Sequence, residues 1–192
     1  MMTDQIRTFV ACELPREIRS EIGQIQENLK QRRLRLTWVR PDKLHLTLKF
    51  LGDVSIDRVE TIADAVGKAV REFSPISLSA KGIGVFPGIR RARVLWVGIG
   101  GEFLQLGQLQ AAVSGGLAGV GFPAEKRPYR GHLTIGRIKA AVDPRQLADA
   151  LTEFSDFETA SFQVDEVVLF RSQLKPDGPI YTRLDAVKLY PH

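Results

Sequence analysis

His45-Leu46-Thr47-Leu48 and His132-Leu133-Thr134-Ile135 are the two stretches on which the reading of this 192-residue chain turns. Each lies in an alternating apolar run that predicts a β-strand, and side chains two apart on a strand share a face. Each motif therefore presents a histidine beside a threonine hydroxyl, while Leu46/Leu48 and Leu133/Ile135 point the other way, into a core. The histidines stand 87 residues apart, a little under half the chain. One H-x-T is a weak signal. Two on like strands at a repeat distance predict two copies of one unit whose histidines meet in a shared site.

Displaced by those 87 residues, the pattern of the chain falls on itself. A predicted strand over 8–13 lands on 95–100, a helix over 15–29 on 102–116, a helix over 57–72 on 144–159, and a strand over 77–85 on 164–172. Strands over 92–97 and 181–187 begin or close a unit. Ser55 and Asp143 are candidate helix caps, the second followed by Pro144 in the first helical turn. Segments 86–91 and 171–179, rich in Gly, Pro and charge, read as loops. The four glycines within 115–121 read as a flexible connection ahead of the strand bearing His132. The expected class is α+β, a single bilobal domain over 1–192 with pseudo-symmetric lobes from repeat halves near 1–90 and 91–192. Exchange of terminal strands between the halves is allowed. Mainly antiparallel sheets would line a central cleft, with helices outside.

An apolar share of 44% is enough to bury a substantial core. No apolar run approaches the length of a membrane span, and residues 1–9 lack the apolar core of a signal peptide, so a cytoplasmic protein is expected. Cys12, the single cysteine, excludes an internal disulfide and a cysteine-rich metal site, and reads as a small buried hydrophobe. A net charge of +5 favours an anionic partner. The positive residues gather in three places: Arg32, Arg33, Arg35 and Arg40 before the first motif; Arg90, Arg91 and Arg93 between the halves; Lys126, Arg127, Arg130 and Arg137 around the second motif. A solvated surface accounts for any one cluster. Beside His132, the last reads as phosphate binding.

Two histidines can ligate zinc, but a catalytic zinc site recruits a third ligand. No Asp, Glu or Cys accompanies either motif on its His-Thr face, and neither H-E-x-x-H nor G-x-S-x-G occurs. No metal and no cofactor are therefore expected. Acid–base chemistry fits better, because two imidazoles near neutral pH can divide the work, one taking a proton and one giving it. Displacement at phosphorus needs groups on opposite sides of the atom, and strands related by a two-fold axis would supply them. Threonine hydroxyls, and arginines more strongly, could bond the non-bridging oxygens. His192 has no partner motif and reads as a disordered end.

Longer stretches resemble a known family, the two-histidine phosphoesterases, and within it the RNA 2′,3′-cyclic phosphodiesterases, also called 2′-5′ RNA ligases. Arg7-Thr8-Phe9-Val10-Ala11 resembles the opening strand. Trp38-Val39-Arg40-Pro41 with His45 through Gly52 resembles the first signature, and Arg127-Pro128-Tyr129-Arg130-Gly131-His132-Leu133-Thr134-Ile135-Gly136-Arg137 the second. Val167 through Ser172, with Tyr181, resembles the closing strands. One departure is Gly131, where the family usually has proline.

The resemblance implies His45 as proton donor, His132 as proton acceptor, and Thr47 and Thr134 as phosphate ligands. It implies hydrolysis of RNA 2′,3′-cyclic ends, tRNA fragments among them, to 2′-phosphomonoesters, with 2′-5′ ligation as the approximate reverse. Lys49, Tyr129, Arg130 and Arg137 are further candidate substrate contacts, Lys49 because simple alternation puts it on the face of His45 and Thr47. Arg137 stands an odd number of residues from His132 and would need a bulge or a strand end to reach the site. Tyr129 or Phe50 could stack a base, or pack in a core. The alternative function is a non-catalytic RNA- or nucleotide-binding module.

Overall fold

The structure, a computed structural model, describes residues 4–32, 34–139 and 141–190. Arg33 and His192 therefore lie outside the described residues. The chain runs β1 (Gln5–Glu13), α1 (Arg16–Gln31), β2 (Leu36–Trp38), β3 (His45–Ser55), α2 (Val59–Val70), β4 (Ile76–Phe86), β5 (Val94–Gly101), α3 (Phe103–Gly119), β6 (His132–Ile138), α4 (Pro144–Glu153), β7 (Phe162–Val164), β8 (Glu166–Lys175) and β9 (Gly178–Lys188). One sheet has the order β3-β1-β8-β9 and the other β2-β6-β5-β4-β7. Every pairing between these strands is antiparallel.

The pseudo-symmetry is visible in those orders. β3-β1-β8 in one sheet matches β6-β5-β4 in the other, and each matched pair of strands is separated by about the 87-residue repeat. β4 belongs to the first half of the chain but to the second sheet, and β8 the reverse. Each sheet is thus completed by a strand from the other half.

β1 shows why two faces are needed. Val10 and Cys12 enter the main core, while Phe9 and Ala11 join Val168 and Phe170 in a separate small cluster on the other face. A strand covered on both sides reads as a continuous apolar run, as 9–12 does. α1 turns Ile18, Ile22, Ile25 and Leu29 inward at helical spacing. α4 starts as expected, with the Asp143 carboxylate accepting from the Arg145 amide at 2.9 Å and Pro144 in the first turn.

Four expectations are corrected. Three of the four glycines of 115–121 do not make a loop, since α3 continues to Gly119; Gly121, at a φ of 93°, lies in the turn that follows. Gly116 supplies the reason: a Cβ there would lie 3.1 Å from the Ala65 carbonyl oxygen and from Ala69 Cβ, so the bare glycine lets α3 approach α2 closely. The segment 171–179 is mostly strand, because β8 and β9 form a hairpin closed tightly at Pro176-Asp177, with Gly178 at a φ of 113°. Ser55 makes no cap; its hydroxyl donates to the Asp57 carboxylate, and a one-turn 3-10 helix, Ile56–Arg58, precedes α2. The predicted strand at 164–172 is interrupted at Asp165, between β7 and β8.

Candidate active site

His45 opens β3 and His132 opens β6, and their rings are held alike. His45 Nδ1 lies 2.8 Å from the carbonyl oxygen of Lys43, and His132 Nδ1 lies 2.7 Å from that of Arg130. A carbonyl only accepts, so each Nδ1 must carry a proton, and each Nε2 is left to take or give one. An aromatic ring supports each imidazole: Phe9 at 4.8 Å from His45, and Trp96 at 6.5 Å from His132, ring centre to ring centre. Phe9 and Trp96 are themselves 87 residues apart. Gly84 makes room for the indole, because a Cβ there would fall 2.3 Å from Trp96 Cζ2. Tyr181 meets His45 edge-on at 5.1 Å, and Phe86 meets His132 edge-on at 5.0 Å.

Past each H-x-T the strand bulges, and the bulges are related by the repeat. In β3, Ala11 pairs with Thr47 and Val10 with Lys49, so Leu48 is the extra residue. In β6, Trp96 pairs with Thr134 and Leu95 with Gly136, so Ile135 is extra. An extra residue reverses the alternation beyond it. Lys49 therefore falls opposite Val10, on the core side, and is not on the histidine face as expected. It is 3% exposed, and its ammonium donates to the Pro123 carbonyl at 2.8 Å and to Ser114 Oγ at 3.3 Å. Phe50 takes the position on the histidine side, opposite Phe9 and 57% exposed.

The matching residue in β6 is Arg137, opposite Val94 and exposed. Of the two routes by which Arg137 could reach the histidine side, a bulge or a strand end, the structure has the bulge. Each bulged carbonyl is met by a glutamine from a helix. Gln110 Nε2 of α3 donates to the Leu48 oxygen at 3.2 Å, and Gln26 Nε2 of α1 donates to the Ile135 oxygen at 2.9 Å and to that of Val39 at 2.7 Å.

Two observations join the motifs across the cleft. The Tyr129 hydroxyl, three residues before His132, donates to the Thr47 carbonyl at 3.0 Å. That bond and burial give Tyr129 a tying role rather than an open base-stacking face, and burial raises its phenol well above the usual range. The positive charge of Arg137, on β6, acts on His45, on β3. His45 is held below the ordinary imidazole value chiefly by burial and further by Arg137, against the opposing bond to Lys43. Burial raises Tyr181, while Arg137 and Arg7 oppose that shift.

Thr47 and Thr134 are half-buried, and their hydroxyls bond to no protein group among the described residues. Arg130 contributes its backbone oxygen to His132, with its side chain in solvent. Among the described residues no three His, Cys, Asp or Glu side chains gather as a metal site. Nor is any helix among them long and apolar enough to cross a membrane. Sequence reasoning misses Phe9, Trp96, Phe86, Gln26 and Gln110 as parts of the site. The common offset of Phe9 and Trp96 is the signal that could find that pair.

The family model described as LigT like phosphoesterase matches residues 13–96 and again 101–181. The chain belongs to this family. Among relatives of this phosphoesterase, the RNA 2′,3′-cyclic phosphodiesterase of Methanothermobacter thermautotrophicus is 36% identical over 185 residues, spanning 96% of this chain and 100% of its own. That of Thermotoga maritima is 34% identical over 176 residues, 92% of this chain and 91% of its own. Among solved structures, the TT0787 protein of Thermus thermophilus superposes with a TM-score of 0.79 at 27% identity, over 97% of this chain and 100% of that one. E. coli LigT complexed with 3′-AMP superposes at 0.75 and 26% identity, over 97% and 99%.

Proposed function

We propose that this phosphoesterase hydrolyses RNA 2′,3′-cyclic phosphodiester ends to 2′-phosphomonoesters with His45 and His132 as its acid–base pair. The observation that carries the reading is the matched framing of the two imidazoles, each with Nδ1 tied to a carbonyl and Nε2 free, with the charge of Arg137 in the second sheet acting on His45 in the first. The relatives named RNA 2′,3′-cyclic phosphodiesterase support the substrate.

In the reaction, water attacks phosphorus and passes a proton to neutral His132 Nε2 as the new O–P bond forms. The bond from phosphorus to the 3′ oxygen breaks, and that oxygen takes the proton of charged His45 Nε2. A 2′-phosphate and a 3′-hydroxyl result, and the protons balance. Thr47 and Thr134 hydroxyls and the Arg137 guanidinium bond the non-bridging oxygens as charge builds on them. The donor and acceptor are assigned by resemblance to the family. Ligation replaces the water by a 5′-hydroxyl and uses the same pair, and tRNA fragments in the cytoplasm are suitable substrates. The whole chain, 1–192, acts as one bilobal unit, because each sheet draws strands from both halves.

The test is incubation, in excess chelator, with an oligoribonucleotide ending in a 2′,3′-cyclic phosphate. A 2′-phosphate product is expected, with turnover in His45→Ala and in His132→Ala each lower by about 10²–10⁴-fold. A chelator-sensitive reaction, or turnover that survives His132→Ala, would refute the mechanism. Retained affinity with no turnover in the unaltered protein would favour the binding module.

A further inference from the structure

The two residues that the bulges turn to the histidine side are related by the repeat, yet one is an aromatic ring and the other a cation: Phe50 and Arg137. The difference extends outward from each. Thr37 of β2 and Val94 of β5 both pair with Arg137, and Arg35 and Arg93 stand within two residues of those partners. The Arg93 carbonyl accepts from the Ile138 amide at 2.9 Å, and Lys139 follows β6 directly. Arg90 and Arg91 lie in the one-turn helix Ile89–Arg91 that leads into β5. All six cations are exposed, and none is in an ion pair among the described residues.

Neighbouring strands are about 5 Å apart, so at this end of the sheet Arg35, Arg93 and Lys139, which flank β2, β5 and β6, lie close to Arg137, and the like charges repel one another. Acidic groups are close: α4, which packs against Ile89–Arg91, carries Asp149 and Glu153 beside Arg145. Glu153 is already engaged by Arg32, so Asp149 is the one carboxylate within α4 with no ion pair among the described residues. At the equivalent end of β3, Phe50 is followed by Leu51, Gly52 and Asp53, and the cations there are fewer: Arg7 of β1 stands opposite Asp53 and Arg171 of β8 opposite Thr8. Repulsion among six unpaired cations is relieved by a polyanion.

We propose that this basic rim of the second sheet is the track for the phosphates of a single RNA strand leading to the reactive end, so that the preferred substrate is an oligonucleotide rather than a cyclic mononucleotide. The proposal rests on the reading given under Proposed function. It divides the labour between repeat-related positions: Phe50 faces the terminal base, and Arg137 with the rim faces the chain of phosphates.

The experiment measures two quantities in parallel: binding of a labelled single-stranded oligoribonucleotide ending in a 2′-phosphate, by anisotropy across a salt series, and turnover of a cyclic mononucleotide. The proteins are the unaltered chain, the triple variant Arg90→Gln/Arg91→Gln/Arg93→Gln, and a control, Lys68→Gln/Arg71→Gln, on α2 and at its C-terminal end. Three lost phosphate contacts flatten the single-strand salt slope by about 2, so the unaltered protein should lose about 20-fold more affinity than the triple variant between about 50 and 200 mM salt. Mononucleotide turnover should be the same in all three proteins, and the control should keep the full slope. An unchanged slope in the triple variant overturns the rim while normal mononucleotide turnover leaves the hydrolase reading standing. An equal loss in the control also overturns it, since net charge would then explain the binding. A slope lost only in the triple variant, with no turnover of any cyclic phosphate by the unaltered protein, upholds the rim and overturns the hydrolase.

Discussion

Replacing Gln26 by methionine removes the helix amide that holds the Ile135 bulge. Gln26 is 2% exposed and donates to two carbonyls, those of Val39 and Ile135. The Ile135 oxygen keeps a second donor, the Val39 amide at 3.0 Å, whereas the Val39 oxygen loses the bond that the glutamine makes to it. The part-buried Val39 carbonyl left unpaired costs about 1–3 kcal/mol and the lost bond to Ile135 about 1, for a total of about 2–4 kcal/mol. In a chain of this length each kcal/mol moves the melting midpoint by about 2–4 °C, so a fall of roughly 5–15 °C is expected. Gln110→Met removes a single 3.2 Å bond, part-buried like that to Val39, where Gln26→Met removes two, and should cost about 1–2 kcal/mol.

Thermal melts of both variants check the order. Steady-state kinetics well below the midpoint check the link to the site: with the bulge relaxed, Arg137 is displaced, so KM for the cyclic phosphate should rise in Gln26→Met beyond its value in Gln110→Met. The double variant Gln26→Met/Arg137→Met should then be no worse in KM than Arg137→Met alone. A Gln26→Met protein that melts within about 2 °C of the unaltered chain, or one that melts early with KM unmoved, refutes the reasoning.

Arg137→Met removes a charge that lowers His45, so the imidazole must rise toward its ordinary value. With His45 as the group that must be protonated, the alkaline limb of kcat/KM moves to higher pH, while loss of a charge-assisted phosphate bond lowers kcat/KM on the order of 10–100-fold; a limb that stays put or moves to lower pH contradicts the donor role. Cys12 is fully buried and its thiol is pushed up to about 12 by burial. It should resist thiol reagents at neutral pH until the chain unfolds, and rapid labelling of the native protein would show that β1 opens far more readily than its packing indicates.

The parts of the site legible in the sequence are those governed by local period. Alternation in 45–48 and 132–135 is enough to put His and Thr on one face, and the 87-residue offset pairs the strands. Alternation alone misplaces Lys49 by one residue because a bulge is a property of a strand pair, set by how β1 counts against β3, and neither strand declares it alone. The clue lies in comparing copies: Leu48 and Ile135 share the offset, as do Phe50 and Arg137. The glycines of α3 mislead for a different reason. Their poor helix propensity is offset by close packing of Gly116 on α2, which is a tertiary fact. In 171–179 the punctuation does mark a turn, but a narrower one, since Pro176-Asp177 closes a hairpin whose strands run up to it.

Identical imidazoles in identical frames would be interchangeable as acid and base, so a fixed assignment of the two roles needs the pseudo-symmetry to be broken. The backbone does not break it: both Nδ1 atoms are tied to the carbonyl two residues earlier. The surroundings do. His45 has a phenyl ring against it, a phenol edge beside it and a guanidinium from the other lobe acting on it. Burial and the positive charge both lower its affinity for a proton. For the proposed donor this has two consequences. A weaker-binding acid gives up its proton to the leaving oxygen more readily, but is less often charged in the free enzyme at neutral pH. A bound phosphate anion offsets the second consequence by supplying negative charge beside both Arg137 and His45, which raises the imidazole when substrate is present. The alkaline limb of kcat should therefore lie at higher pH than that of kcat/KM, since the first reports the complex and the second the free enzyme. Coincident limbs would mean that the anion does not reach His45.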